Sequence, residues 1–286
     1  MPESFSKKIE RAFASSGQLC AGIDPHSSLL EENDYTVSLE GLDHFCSTLL
    51  ESVVGNVGIV KYQVSFFEKF GPEGMKVLQN QLSLAKKAGL LVIADAKRGD
   101  IGSTMQAYSD AWLAQDAPYM CDALTVSPFL GVGSLEPAVV SAVERGKGLF
   151  VLCATSNPEA ALLQSAETSN GSVSAQIADE VKSLNHISAQ SKDLFGSIGL
   201  VIGATVNLGA RGLGDLNSGQ TNLRSPILAP GFGAQGGSLS QAKQIFGDNA
   251  GDVIYSVSRS ILRNGIQNVG KTLIADTNEL AESLAR

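Results

Sequence analysis

The sequence predicts one (β/α)8 barrel, a single α/β domain over residues 1–286. Three observations carry that expectation. Eight short apolar runs alternate with helix-patterned segments over about 250 residues. No repeat or low-complexity linker divides the chain. Polar, chemically capable side chains recur where the apolar runs end, the position at which barrel enzymes carry their chemistry.

In order, Phe5–Phe13 has helical spacing and Leu19–Ile23 reads as the first strand, stopped by Asp24-Pro25-His26. Proline fixes its own φ and keeps the preceding residue extended, which leaves Asp24 at the strand tip. A helix over Leu39–Val53 leads to a strand over Val57–Lys61, tipped by Lys61. Gly71–Ala88 places Met75, Leu78, Leu82, Leu84 and Ala85 on one side of a helix. Leu90–Ala94 is the third strand. Thr104–Gln115 is helical, Asp122–Val126 is a strand ending at Ser127, and Ser134–Arg145 is a helix with Ser134 as N-cap. Gly148–Cys153 is the fifth strand. The segment from about 159 to 197 is an extended polar crossover, with a turn at Ser169-Asn170-Gly171 and a helix carrying Ile177, Val181 and Leu184. Gly199–Gly203 and Pro226–Ala229 are strands, separated by the Gly-rich, weakly helical stretch 207–225. A helix near Leu239–Phe246, a strand over Asp252–Val257 tipped by Arg259, and a helix near Asn278–Ala285 complete the chain.

Composition narrows the function. Hydrophobic residues make up 43% and charged residues 17%, enough for a large core. The net charge of −8 argues against nucleic acid or an anionic membrane as partner. An anionic substrate would need a few placed lysines and arginines to overcome that field. Residues 1–8 show no apolar core after their charges, and no apolar run approaches the ~18–20 residues of a membrane span. Cys20, Cys46, Cys121 and Cys153 are scattered, as are His26, His44 and His186, so buried reduced thiols, no metal site and a cytoplasmic setting are expected.

Two stretches carry chemistry. In Asp95-Ala96-Lys97-Arg98-Gly99-Asp100, strand alternation sends Asp95 and Lys97 the same way, and Asp100 adds a second carboxylate. The second is Gly231-Phe232-Gly233-Ala234-Gln235-Gly236, which fits a G-x-G-x-x-G dinucleotide loop, with Arg259 even suited to an NADP 2′-phosphate. It equally fits the phosphate site that barrels build after strands seven and eight. There, glycines would let N–H groups reach an anion, the following helix N-terminus would reinforce them, and Gln235 and Arg259 would donate. The residues by themselves describe a phosphorylated small-molecule substrate and leave the reaction open.

Lys61, the Asp95-x-Lys97-x-x-Asp100-Ile101-Gly102-x-Thr104 run, the Pro230–Gly237 loop and Arg259 together closely resemble the orotidine 5′-phosphate decarboxylase family. The wording of that run, with Thr155-Ser156-Asn157-Pro158-Glu159 after strand five, is similar to the family's longer bacterial branch. The resemblance implies a cofactor-free, metal-free loss of CO2 from orotidine 5′-monophosphate to give UMP. It implies a charged tetrad of Lys61, Asp95, Lys97 and Asp100, with Asp100, Ile101 and Thr104 reaching into the neighbouring subunit of a homodimer. It further implies Asp24 and Lys61 on the ribose, Ser127 on the pyrimidine edge, and Gln235, Arg259 and the Gly233/Gly236 loop on the phosphate. Two other readings stay open: a sugar-phosphate synthase or epimerase barrel, which would want a metal or an isolated base, and an NADP- or nucleotide-binding protein.

Overall fold

Leucine, isoleucine, valine and alanine dominate eight short segments that are buried on both faces, the signature of a parallel sheet covered by helices. In the computed structural model, which describes residues 2–188, 193–217 and 223–285, these segments are β1 (Leu19–Ile23), β2 (Ile59–Gln63), β3 (Leu91–Arg98), β4 (Ala123–Val126), β5 (Gly148–Ala154), β6 (Ile198–Ile202), β7 (Ile227–Phe232) and β8 (Val253–Val257). Each pairs in parallel with its sequence neighbour, and β1 pairs with β8 to close the barrel.

Side chains alternate along each strand, and the two sets have different destinations. The outward set packs under the helices in one large cluster that includes Tyr62, Val92, Leu124, Val151 and Tyr255. The inward set forms a second cluster of Cys20, Ile59, Leu91, Ile93, Ala123, Phe150, Val201, Leu228 and Ile254. The foot of the barrel is sealed by the first helix, Phe5–Ser16, whose Phe5, Ile9 and Ala12 join that inner cluster. Phe5 meets Phe150 edge-on at 6.1 Å, and it can do so because residue 148 is glycine: a Cβ there would lie 2.2 Å from the Phe5 ring. Following the inward positions upward, apolar residues give way to Lys61 and Gln63 on β2, Asp95 on β3, Thr125 on β4 and Ser256 on β8. That switch in polarity creates the site.

All eight expected strands form, with informative differences at their ends. β2 runs two residues past Lys61 and β3 four past Ala94, because polar side chains there point into a lined cavity rather than into solvent. Ser134 is not an N-cap: it lies in a 3-10 turn over Val132–Leu135, its hydroxyl donates to the Gly131 carbonyl, and the helix starts at Glu136. The expected helix at 239–246 divides into a 3-10 turn and the five-residue helix Ala242–Phe246. The last helix starts at Val269, well before Asn278. Its first turns contain Gly270, Thr272 and Thr277, weak helix formers, and are held by burial of Val269 and Leu273 and by the Asp276–Arg263 ion pair. In the long crossover, the turn at 169–171 closes a hairpin of two-residue strands, and a helix follows over Val173–Ser188. Residues 189–192 of that crossover and 218–222 of the Gly-rich stretch lie outside the described residues. No helix among the described residues is long and apolar enough to cross a membrane.

Candidate active site

A cavity of about 750 Å³ opens at the C-terminal mouth of the barrel, walled by Asp24, His26, Lys61, Gln63, Asp95, Lys97 and Thr125 on one side and Gln235 and Arg259 on the other. Lys61 rises from the middle of β2 and is only 4% exposed. Its Nζ donates to Asp95 Oδ2 at 3.2 Å and reaches Asp24 Oδ1 at 3.5 Å. The other Asp95 oxygen, Oδ1, accepts from Lys97 Nζ at 2.6 Å and from the Thr125 hydroxyl at 2.8 Å. Lys97 Nζ also donates to Gln63 Oε1 at 3.3 Å. Charges thus alternate from Asp24 through Lys61 and Asp95 to Lys97.

That alternation sets the charge states. Burial disfavours the Lys61 ammonium, but the Asp24 and Asp95 carboxylates outweigh it and hold its pKa above the usual lysine range. Burial likewise pushes the Asp95 carboxyl up, and Lys61 with Lys97 overcome this, holding it down at about 2. Both groups therefore stay ionised at neutral pH. Lys97 differs in being half-exposed to the cavity, so one end of the array faces any ligand bound there.

Across the cavity, the loop after β7 folds on itself. Gly233 N–H donates to the Gly237 carbonyl, Gly236 N–H to that of Gly233, and Gly237 N–H to that of Gly231. The Gly233 and Gly236 N–H groups, expected to reach an anion, here close the loop. Gly233 has a further reason to be glycine, since its φ is +81° and a Cβ would lie 2.5 Å from Ser260 Cβ, in the turn that carries Arg259. The helix N-terminus expected behind this loop is also absent, replaced by the short 3-10 turn Leu239–Gln241. Arg259 and Gln235 are exposed and line the cavity on this side, and Gln235 Oε1 accepts from Ser156 Oγ at 3.4 Å.

The expected residues do not all converge. Asp24, Lys61, Asp95, Lys97, Gln235 and Arg259 wall one cavity. Ser127, just beyond β4, is absent from the wall, its N–H donating to the Arg98 carbonyl at 2.7 Å. Asp100, Ile101 and Thr104 do not line the cavity: Asp100 is half-buried with its Oδ1 accepting from Ile101 N–H, Thr104 is exposed, and Ile101 is 61% exposed. Phe129 and Leu130, on the loop after β4, are also exposed. Sequence reasoning missed Gln63, Thr125, His26 and Gln164. The first two were legible in principle, since Gln63 is two residues beyond Lys61 on the same face and Thr125 two beyond the inward Ala123. His26 caps the six-residue helix Ser27–Glu32 and Gln164 ends the four-residue helix Ala161–Gln164, segments too short for periodicity to assign a face. Among the described residues no group of three or more His, Cys, Asp or Glu gathers as a metal site.

A charged array at the mouth of a closed βα barrel, facing an arginine on the turn after the last strand, defines a barrel enzyme. The family model for orotidine 5′-phosphate decarboxylase / HUMPS matches residues 17–271, and the chain belongs to this family. It is 46% identical to the orotidine 5′-phosphate decarboxylase of Streptomyces coelicolor over 266 residues, covering 92% of this chain and 91% of that protein. The corresponding Corynebacterium efficiens enzyme is 42% identical over 285 residues, 99% and 98% of the two chains. Among solved structures, a Streptomyces avermitilis protein provisionally assigned to the same activity superposes with a TM-score of 0.92 at 41% identity, covering 100% and 98% of the two chains. The orotidine 5′-monophosphate decarboxylase of Leishmania donovani gives 0.74 at 27% identity over 99% and 98%.

Proposed function

We propose that this cavity decarboxylates orotidine 5′-monophosphate to UMP and CO2, a carboxy-lyase step in pyrimidine biosynthesis, with the whole chain acting as one barrel domain in the cytoplasm. The observation that carries the reading is the Asp24–Lys61–Asp95–Lys97 array on one wall, with Arg259 and Gln235 facing it.

Departure of CO2 leaves an electron pair in an in-plane orbital at C6 that the pyrimidine ring delocalises poorly. A site for this step needs fixed positive charge beside C6 and little water. The Lys97 ammonium supplies that charge and then the proton that replaces CO2. Asp95 orients it through the 2.6 Å contact, and Lys61 locks Asp95 from the other side. Asp24 and Lys61 hold the ribose hydroxyls, Arg259 and Gln235 the phosphate, and Ser127 the pyrimidine edge once substrate draws the β4 loop inward. Phosphate binding far from C6 lowers the barrier by fixing the reacting ring in place. No cofactor or metal enters this scheme. A spectrophotometric assay with orotidine 5′-monophosphate in EDTA tests it: the orotate band disappears, and an unchanged spectrum refutes the activity.

Asp100, Ile101 and Thr104, which do not line their own cavity, support a homodimer in which each chain completes its partner's site. Mixing Lys97→Ala with Asp100→Asn makes about half the dimers heterodimers with one intact site each, so activity recovers to roughly a quarter of the parent's. Confirmed heterodimers without recovery would exclude sharing.

A further inference from the structure

Lys97 has φ +50°, a left-handed backbone conformation shared among the described non-glycine residues only by Asp34. An L-residue keeps such a conformation only where its surroundings impose it. The β3–β4 ladder slips at this point: Ala94 pairs with Leu124, and the next pair is Arg98 with Val126. Lys97 falls inside the slip, opposite no strand carbonyl. Thr125 fills the gap. Its Oγ1 accepts from Lys97 N–H at 2.9 Å, and its own proton goes to Asp95 Oδ1 at 2.8 Å, the oxygen that takes Lys97 Nζ at 2.6 Å. A hydroxyl has one proton to give, so the directions are fixed: Lys97 N–H donates to Thr125, Thr125 donates to Asp95 Oδ1, and the Lys97 ammonium donates to that same oxygen and closes the ring.

We propose that Thr125 is the positioning residue for Lys97, one buried hydroxyl that fixes both its strained backbone and the carboxylate that aims its ammonium. The proposal rests on the decarboxylase reading for its kinetic consequence and on geometry alone for its structural one. Threonine suits the task because it is 1% exposed and its hydroxyl is the only polar atom of the side chain. Valine has the same shape without the hydroxyl. It leaves Lys97 N–H without an acceptor and Asp95 Oδ1 without one donor, and the left-handed turn loses its anchor.

The test is Thr125→Val beside Thr125→Ser. Misplacing a reacting group by about 1 Å costs on the order of 10²-fold, so kcat of the valine variant falls by about that factor. KM and UMP affinity stay within about threefold, because Lys97 acts on the transition state rather than on binding. Thr125→Ser, which keeps the hydroxyl, recovers at least about a third of the parent rate. A valine variant that turns over as the parent does, or one that loses UMP binding together with turnover, overturns the positioning role. A crystal structure of Thr125→Val decides the point independently of activity: Lys97 leaves positive φ if the proposal holds, and an unchanged Lys97 backbone refutes it. A parent enzyme inert towards orotidine 5′-monophosphate would instead refute the function proposed above and leave that structural result standing.

Discussion

At the mouth of the barrel, Lys61 and Lys97 sit among the carboxylates of Asp24 and Asp95; at the foot, Lys8, Lys86 and Lys147 gather near the single carboxylate of Asp122. Both clusters are largely buried, yet they treat their deepest lysine in opposite ways. Lys61, 4% exposed, is held above the usual lysine range by two carboxylates that outweigh its burial. Lys147, 5% exposed, is pushed down to about 8, by burial first and by the neighbouring Lys86 and Lys8 ammoniums, with Cys121 and Asp122 opposing but not overcoming them. Asp122 is already engaged with Lys8 at 3.1 Å and Lys86 at 2.9 Å, and among the described residues Lys147 Nζ donates to the Ala114 carbonyl at 3.3 Å. Burial alone therefore does not make a useful lysine. A paired carboxylate keeps it charged, and an opening onto a cavity lets that charge act.

The largest break in this comparison is Lys97→Ala. In the mechanism proposed above it removes both the charge and the proton at the reacting carbon, so it should lower kcat by at least about 10³-fold while UMP affinity changes little. Activity within about tenfold of the parent would remove Lys97 from its role.

Asp95→Asn makes the mouth resemble the foot, leaving Lys61 and Lys97 with Asp24 alone. Beyond a loss of turnover, it should cost about 3–5 kcal/mol of stability in urea unfolding, because two cations lose the buried partner they share. It should also alter acid unfolding. Asp95 is depressed from the ordinary 3.8 to about 2, so its stabilisation is complete above about pH 4 and is lost as pH falls through 2. That loss should be missing from the variant; identical acid profiles would show that Asp95 carries no linkage. Arg259→Ala removes the exposed cation on the far wall and, if that cation grips phosphate as proposed, should raise KM about 10–100-fold for the lost charged hydrogen bonds. An unchanged KM would mean that the phosphate sits elsewhere.

The sequence exposes the mouth far better than the foot. Eight apolar runs were visible because parallel strands buried on both faces read as continuous hydrophobic stretches. Asp24, Asp95 and Arg259 were visible because polar residues at the ends of such runs stand out. Gln63 and Thr125 were legible only through strand alternation, because on the inner face of a strand a polar residue resembles a strand end. The Asp122 cluster was hidden for a different reason. Lys8, Lys86, Asp122 and Lys147 come from four separate segments and meet only when the first helix seals the barrel. The amides of Gly233 and Gly236 illustrate a third limit, since a glycine pattern does not reveal whether its N–H groups face a ligand or close their own loop.

Lys147→Met is the smallest effect and the sharpest test of the comparison, because it should run opposite to Asp95→Asn. Methionine fills a similar volume without an ammonium to desolvate, so it removes the burial penalty that depresses Lys147. The lost bond to the Ala114 carbonyl offsets part of that, so a gain of about 1 kcal/mol at pH 7 is expected, with turnover unaffected. The pH dependence identifies the cause. In the folded chain Lys147 releases its proton near pH 8, whereas in the unfolded chain it keeps it to about 10.5. Between those values the unfolded state binds more protons, so the parent gains stability as pH rises through the window. The methionine variant lacks that gain, and its advantage over the parent should shrink from pH 8 to pH 10. Two parallel stability curves across this window would show that Lys147 is compensated as well as Lys61 is, and the distinction between the two ends of the barrel would fail.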